Sequence, residues 1–333
     1  MKSPFTGGTV QLKKKIEGFD YRKESFDIVY HYYLCNDTNE QFTTEELDNL
    51  NITQVHNQYR SKYGIPFADE IKAIRHKYNL SAAKMSEVLG FGANVYRHYE
   101  AGEVPTVANG RLIKLAEDPH EFRTLVHLNR QSWEEKEYDR VIKKLQEFFD
   151  SYNKGREYYE QRLIGCNVPN VYNGFRKPRL DKISAMVNFF AHHNQPFLTA
   201  LNKLMFYADF AHYKKHGFAI SGTCYLAFER GPVPDNYGAI YNEVIHRGFA
   251  FVTEVDFKDY VGEKFVAPKL KFTEEDELFS ESEMDMMKKV SDAFKGMNTR
   301  QIVDVSHRES GWQQNVNDSN HINFMYGFDI KHL

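Results

Sequence analysis

Two groups of residues in this 333-residue sequence have the types and spacing to do chemistry, and both suit recognition better than bond-making. The first is Gly92-Ala93-Asn94-Val95-Tyr96-Arg97-His98-Tyr99-Glu100. At helical spacing Val95 and Tyr99 turn inward, while Asn94, Arg97 and His98 share the opposite side. An asparagine can bond bidentately to adenine and an arginine to guanine, so this face suits base reading in a major groove. Ser81 and Lys84 open the preceding helix, where phosphate contacts are made. The competing reading is a helix pair used only for packing. The second group is the Arg230-Gly231-Pro232 turn with its flanks. Proline fixes φ and glycine permits unusual backbone angles, so the turn presents its neighbours rigidly. Tyr207, Phe228, Arg230 and Trp312 are the expected anchors for a partner protein, as large aromatics and arginine dominate interface energetics. Here the competing reading is a tight strand-to-helix turn.

Enzyme chemistry finds less support. His192, His193, His212, His216, His246, His307 and His321 show no metal-binding spacing except His212 and His216, four apart with no carboxylate between them, which read as surface residues. Glu309 near His307 is a weak acid–base pair, and Cys224 has no nucleophile motif around it. Glycine-rich phosphate loops and G-x-S-x-G are absent. Cys35, Cys166 and Cys224 form no C-x-x-C pair and no disulfide framework. Met1–Gly8 has the shape of a zinc knuckle, yet the four ligand positions would be Ser3, Thr6, Cys35 and Thr38, and neutral hydroxyls are poor zinc ligands. The alternative there is a small β-unit with ordinary turns. No catalysis, cofactor or metal is expected.

The elements that position these residues imply an α+β fold, mainly α. Residues 1–67 read as a small β-rich unit. Strands at Val10–Leu12 and Phe26–Tyr32 are separated by Gly18-Phe19-Asp20, and a helix starts after Thr43-Thr44. Residues 68–130 read as a helix-turn-helix domain, with helices over 69–78, 82–89 and 93–100 and a turn at Gly90-Phe91-Gly92. Residues 131–179 are a connecting helix and linker. The helix has an apolar stripe of Val141, Leu145 and Phe148/Phe149, read as packing on a neighbour or as dimer-forming, and the linker spans 166–179. Residues 180–333 form a mainly helical domain with a small sheet. Its helices run over 181–193, 198–216, 237–246, 283–294 and 300–308, and its strands over 225–228, 249–252 and 265–270. The acidic run Glu274–Glu277 reads as a solvated loop or helix start.

Composition sets outer bounds. With 41% hydrophobic and 27% charged residues, the chain can bury enough surface to fold. Its 26 Phe and 21 Tyr favour aromatic cores and aromatic contact surfaces. The net charge of −3 excludes a strongly basic coat, and residues 69–130 carry nine Lys+Arg against eight Asp+Glu. Duplex affinity must then come from local placement of charge and from a dimer. No stretch of 18 apolar residues and no signal-peptide run occurs, so the expected location is the cytoplasm, without membrane contact.

Two resemblances become specific at this point. Residues 1–125 resemble the zinc-finger/helix-turn-helix antitoxins of the MqsA type. The likeness rests on MKSPFTGG, on Leu34–Thr38 followed by Phe42-Thr43-Thr44, on Ile71–Arg75 and on Leu89–Gly102. That resemblance places a base-reading asparagine on Asn94 and a base-reading arginine on His98, with Arg97 beside it. It places the zinc ligands on Ser3, Thr6, Cys35 and Thr38, where three thiols are replaced by hydroxyls. Residues 180–325 resemble the Panacea domain of bacterial and phage antitoxins, through Lys203–Ala208, Ala227–Pro234 and Ser306–Trp312. Together they imply the antitoxin of a type II toxin–antitoxin pair. Its C-terminal domain would neutralise a cognate toxin by direct binding, and its helix-turn-helix would bind operator DNA as a homodimer. The alternative is a stand-alone helix-turn-helix transcriptional regulator whose C-terminal domain senses a ligand or recruits a protein.

Overall fold

A computed structural model gives the fold; its described residues are 1–151, 154–165, 168–257, 261–273 and 276–333, with side chains described outside 150–158. Cys166, Glu274 and Glu275 lie outside them. The fold is α+β and mainly helical, as expected. The chain divides into two compact units, Met1–Gly155 and Arg156–Leu333.

The first unit opens with an antiparallel sheet of β1 (Val10–Tyr21), β2 (Glu24–Cys35) and β3 (Gln41–Phe42), in that order. The expected break at Gly18-Phe19-Asp20 is not there. β1 runs straight through it and turns at Arg22-Lys23, both in the left-handed region (φ 49° and 70°). Such φ values suit a two-residue hairpin turn, and Arg22 is fixed by donating to the carbonyls of Val104 (2.7 Å) and Pro105 (2.8 Å). Helix α1 (Glu45–Tyr63) starts on Thr44, whose hydroxyl accepts from Leu47 N–H, and ends at Gly64 (φ 62°). It acts as a surrogate strand for β2. The Asn51 amide both accepts from and donates to the His31 backbone (2.9 Å each). Gln54 does the same at Val29 (3.0 and 2.9 Å), and Gln58 donates to Asp27 O (2.8 Å). Spacings of three and four on a helix thus meet the period of two on a strand, and the β2 edge left uncovered by short β3 is satisfied.

The helical part comprises α2 (Ala68–Tyr78), α3 (Ala82–Val88), α4 (Val95–Glu100), α5 (Val107–Leu115), α6 (Pro119–Leu128) and α7 (Glu135–Ser151). Ile71, Met85, Tyr96, Ile113, Phe122 and Leu145 share its core. The apolar stripe of α7 is used inside this unit, since Val141 and Leu145 are buried and α7 packs on α2 and α6.

The second unit follows from α8 (Lys154–Ile164). It contains α9 (Leu180–His193), α10 (Leu198–His216), β4 (Tyr225–Phe228), β5 (Gly231–Pro234), α11 (Tyr237–His246), β6 (Phe251–Asp256), β7 (Val261–Val266), α12 (Glu281–Ala293), α13 (Thr299–Ser306) and α14 (Ser310–Gln313). β4–β5 and β6–β7 are two antiparallel hairpins. The centre is α10, buried without interruption from Ala200 to Tyr213 and packed by α9, α12, α13, β5, β7 and the 3-10 turn Phe324–Asp329. A helix buried on every side is the hub of its domain. The stretch read as linker is packed from Pro169 onward: Asn173 and Phe175 are buried, and Gly174 O accepts from Ala219 N–H (2.9 Å). Among the described residues no helix is long and apolar enough to cross a membrane.

Candidate functional site

Besides its tyrosines, α10 buries four polar side chains, Asn202, Lys203, Asp209 and His212, and each needs a partner. Asn202 accepts from the Tyr241 hydroxyl (2.9 Å). Asp209 accepts from Ile220 N–H (2.8 Å), Ser221 N–H (2.7 Å), the Ser221 hydroxyl (2.5 Å) and the Tyr225 hydroxyl (2.7 Å). Burial pushes the Asp209 carboxyl above its usual range against the pull of these donors, which together tie residues 220–225 to α10 and fix where β4 begins. His212 is fully buried, with Nδ1 at Phe218 O (2.8 Å) and Nε2 at the Ser282 hydroxyl (3.2 Å). The surface assignment of His212 is therefore corrected: it is a neutral structural side chain, held well below the ordinary histidine range by burial. The fourth, Lys203, is fully buried and its Nζ has no hydrogen-bond partner.

Lys203 sits under the β4–β5 turn. A Cβ added at Gly231 would stand 2.6 Å from its Cε and 2.5 Å from the Ser306 hydroxyl, so the bare glycine backbone is what fits there. The Arg230-Gly231-Pro232 segment is a hairpin turn, not a strand-to-helix turn: Phe228 pairs with Gly231 across Glu229-Arg230, and Gly231 has φ 95°. Phe228, Glu229 and Arg230 are exposed at its tip, Phe228 at 39%. Trp312 Nε1–H donates to Phe228 O (2.7 Å), and His307 stacks flat on Trp312 (3.9 Å, 9°). Three of the expected anchors, Phe228, Arg230 and Trp312, thus gather at one hairpin. Tyr207 does not join them. It is fully buried, with its hydroxyl donating to Glu309 (3.0 Å), so it supports the core and has no surface for a partner. Glu309 is likewise buried and also accepts from Lys331 N–H (3.1 Å), which replaces the expected acid–base pairing with His307.

Residues 201–313 match the family model described as Antitoxin SocA-like, Panacea domain. No curated protein and no solved structure matches the chain significantly. The Panacea match begins in α10 and ends on α14, so it takes in the Asp209 anchor, the Lys203 pocket, the β4–β5 hairpin and Trp312.

In the first unit Asn94, Arg97 and His98 are all exposed on or beside α4. The inward pair is Tyr96 and Tyr99, with Val95 half-buried. Tyr96, not among the expected inward residues, donates its hydroxyl to Ile71 O (2.7 Å) from within the core. Ser81 caps α3, accepting from Lys84 N–H (3.1 Å). Lys84 is engaged inside the unit: its Nζ meets Glu87 (2.8 Å), Glu137 (3.3 Å) and Ser132 O (3.3 Å) and lies 4.6 Å from the Trp133 ring centre.

The four knuckle positions converge. Cys35 is buried, and Ser3, Thr38 and Thr6 hydrogen-bond its sulfur, Thr6 at 3.6 Å. Hydrogen bonds from Ser3 and Thr38 pull the thiol down to about 6. Thr6 also donates to Asp37 (2.6 Å). The arrangement is a thiol within a ring of hydroxyls. Cys224 is half-buried and forms no disulfide among the described residues.

Proposed function

We propose that this chain is the antitoxin of a toxin–antitoxin pair, in which the second unit covers a partner toxin and the first unit binds operator DNA. The observation that carries the reading is the Panacea match over the same residues that build the exposed hairpin tip. Phe228 and Arg230 project from a two-residue turn that is braced by Trp312 behind it and by Asp209 at the base of β4. A rigid aromatic and a guanidinium lose little freedom on association, so they suit the centre of an interface that occludes another protein. The second unit acts as a binding module in this reading. In the first unit, the exposed Asn94, Arg97 and His98 supply base contacts, and a homodimer supplies the paired half-sites.

Co-expression with the neighbouring gene tests it. The neighbour alone should arrest growth, and this chain should restore growth and co-purify with it. The double variant Phe228→Ala, Arg230→Ala should weaken the complex by roughly 30-fold or more, the effect of losing about 2 kcal/mol at an interface anchor. A neighbour that is harmless alone, or that never co-purifies, ends the antitoxin reading.

A further inference from the structure

The second unit contains a cavity of about 890 Å³, within the range of small-molecule sites. Arg230, Lys295 and Arg300 line it, and among the described residues none of these side chains makes a hydrogen bond or an ion pair. Behind Arg230 lies Lys203, buried and without a partner, its Nζ 3.2 Å from where a Gly231 Cβ would stand. The like charges of Arg230 and Lys203 repel each other. A buried cation beside a second cation, with no anion between them, is unfavourable, and an anion from outside relieves both.

The rest of the lining narrows the ligand. Helix α10 begins beside the cavity with Phe197 as its N-cap, a side chain that accepts no hydrogen bond, so the first turn through Leu198 and Thr199 is left uncapped at the cavity wall. Phe197 and Phe257, whose rings meet edge to face (5.4 Å), supply aromatic surface. Glu254 and Glu263, directly opposite each other on β6 and β7, also line the cavity and bar an anion from their side.

We propose that this cavity binds an aromatic organic phosphate of the nucleoside diphosphate class, its phosphates on Arg230, Lys295 and Arg300 and its ring among the phenylalanines. The site does not depend on the antitoxin reading. The groups facing Lys203 are Arg230 from the β4–β5 turn, Ser306 at the end of α13 and His307 beyond it. Burial and Arg230 pull the Lys203 amine down to about 7, so a phosphate arriving at Arg230 draws a proton onto it at mildly alkaline pH.

Isothermal titration of the full chain with ADP, repeated in buffers of different ionisation enthalpy, tests the site. The expected result is saturable binding with net proton uptake, and no binding of adenosine. Arg230→Gln, at an exposed position whose side chain makes no hydrogen bond or ion pair among the described residues, should weaken ADP by about tenfold or more. Lys203→Met should keep binding measurable and remove the proton uptake. Absence of saturable ADP binding, equal binding of adenosine, ADP affinity unaltered in Arg230→Gln, or proton uptake surviving in Lys203→Met would each overturn the proposal.

Discussion

Burial lowers the Lys203 amine from 10.5 to about 7, with the Arg230 guanidinium acting in the same direction. Between those values the unfolded chain binds more protons than the folded one, so this residue makes stability rise as pH increases from about 7 toward 10. At and below pH 7 the full cost of the buried ammonium is present, on the order of a few kcal/mol. Lys203→Met fills the same space without a charge. It should unfold at higher urea concentration at neutral pH, by a few kcal/mol, and should show a flatter rise of stability between neutral and alkaline pH. A variant no more stable than the parent at pH 7 would mean that Lys203 finds an anion in the native state. The identity of Lys203 was plain in the sequence. That a lysine in an apolar helix turns inward without a carboxylate could not be read there, because helical periodicity says which face is apolar and not what lies opposite.

At the scale of elements, the β4–β5 hairpin depends on one backbone position. Gly231 has φ 95° and lies against Lys203 and Ser306, so Gly231→Ala adds both left-handed strain and overpacking. It should cost about 2 kcal/mol or more by thermal or urea unfolding, and should displace Phe228 and Arg230 so that partner binding falls with it. The helices of the second unit were legible almost to the residue: α10 and α11 fall on the expected 198–216 and 237–246. Their long apolar runs end at Gly217 and at Arg247-Gly248, where a helix stops for local reasons. β5 was missed because Pro232 and Pro234 argue against a strand. It survives as a short pairing with β4, in which Pro232 and Pro234 sit opposite Ala227 and Tyr225. The turn at Arg22-Lys23 was missed for a related reason. Neither residue is a usual left-handed residue, and the contacts holding Arg22 come from residues more than 80 positions away.

At the scale of the whole molecule, two compact units carrying two exposed polar or aromatic sets predict separable functions. Asn94→Ala should abolish operator binding in a mobility-shift assay while leaving toxin co-purification intact. Phe228→Ala with Arg230→Ala should do the reverse. Loss of both activities in either variant would argue against a division of labour between the units. If Asn94 reads adenine as proposed, losing that contact costs about 1–3 kcal/mol, enough to remove specific binding at moderate protein concentration.

The order of residues alone determined the α+β, mainly helical character, the main helices of both units and the polar set Asn94, Arg97 and His98, because capping residues, glycine stops and apolar spacing act over a few neighbours. The tertiary structure decided which aromatics are exposed and which are core. Tyr207 and Phe228 look alike in sequence, yet Tyr207 lies within the most buried helix and Phe228 at a hairpin tip. It also decided that three hydroxyl positions up to 32 residues away, Ser3, Thr6 and Thr38, close around the single thiol of Cys35, and that the buried Lys203 stands beside another cation. Such outcomes rest on contacts between distant segments, and local sequence carries no record of what the chain folds against.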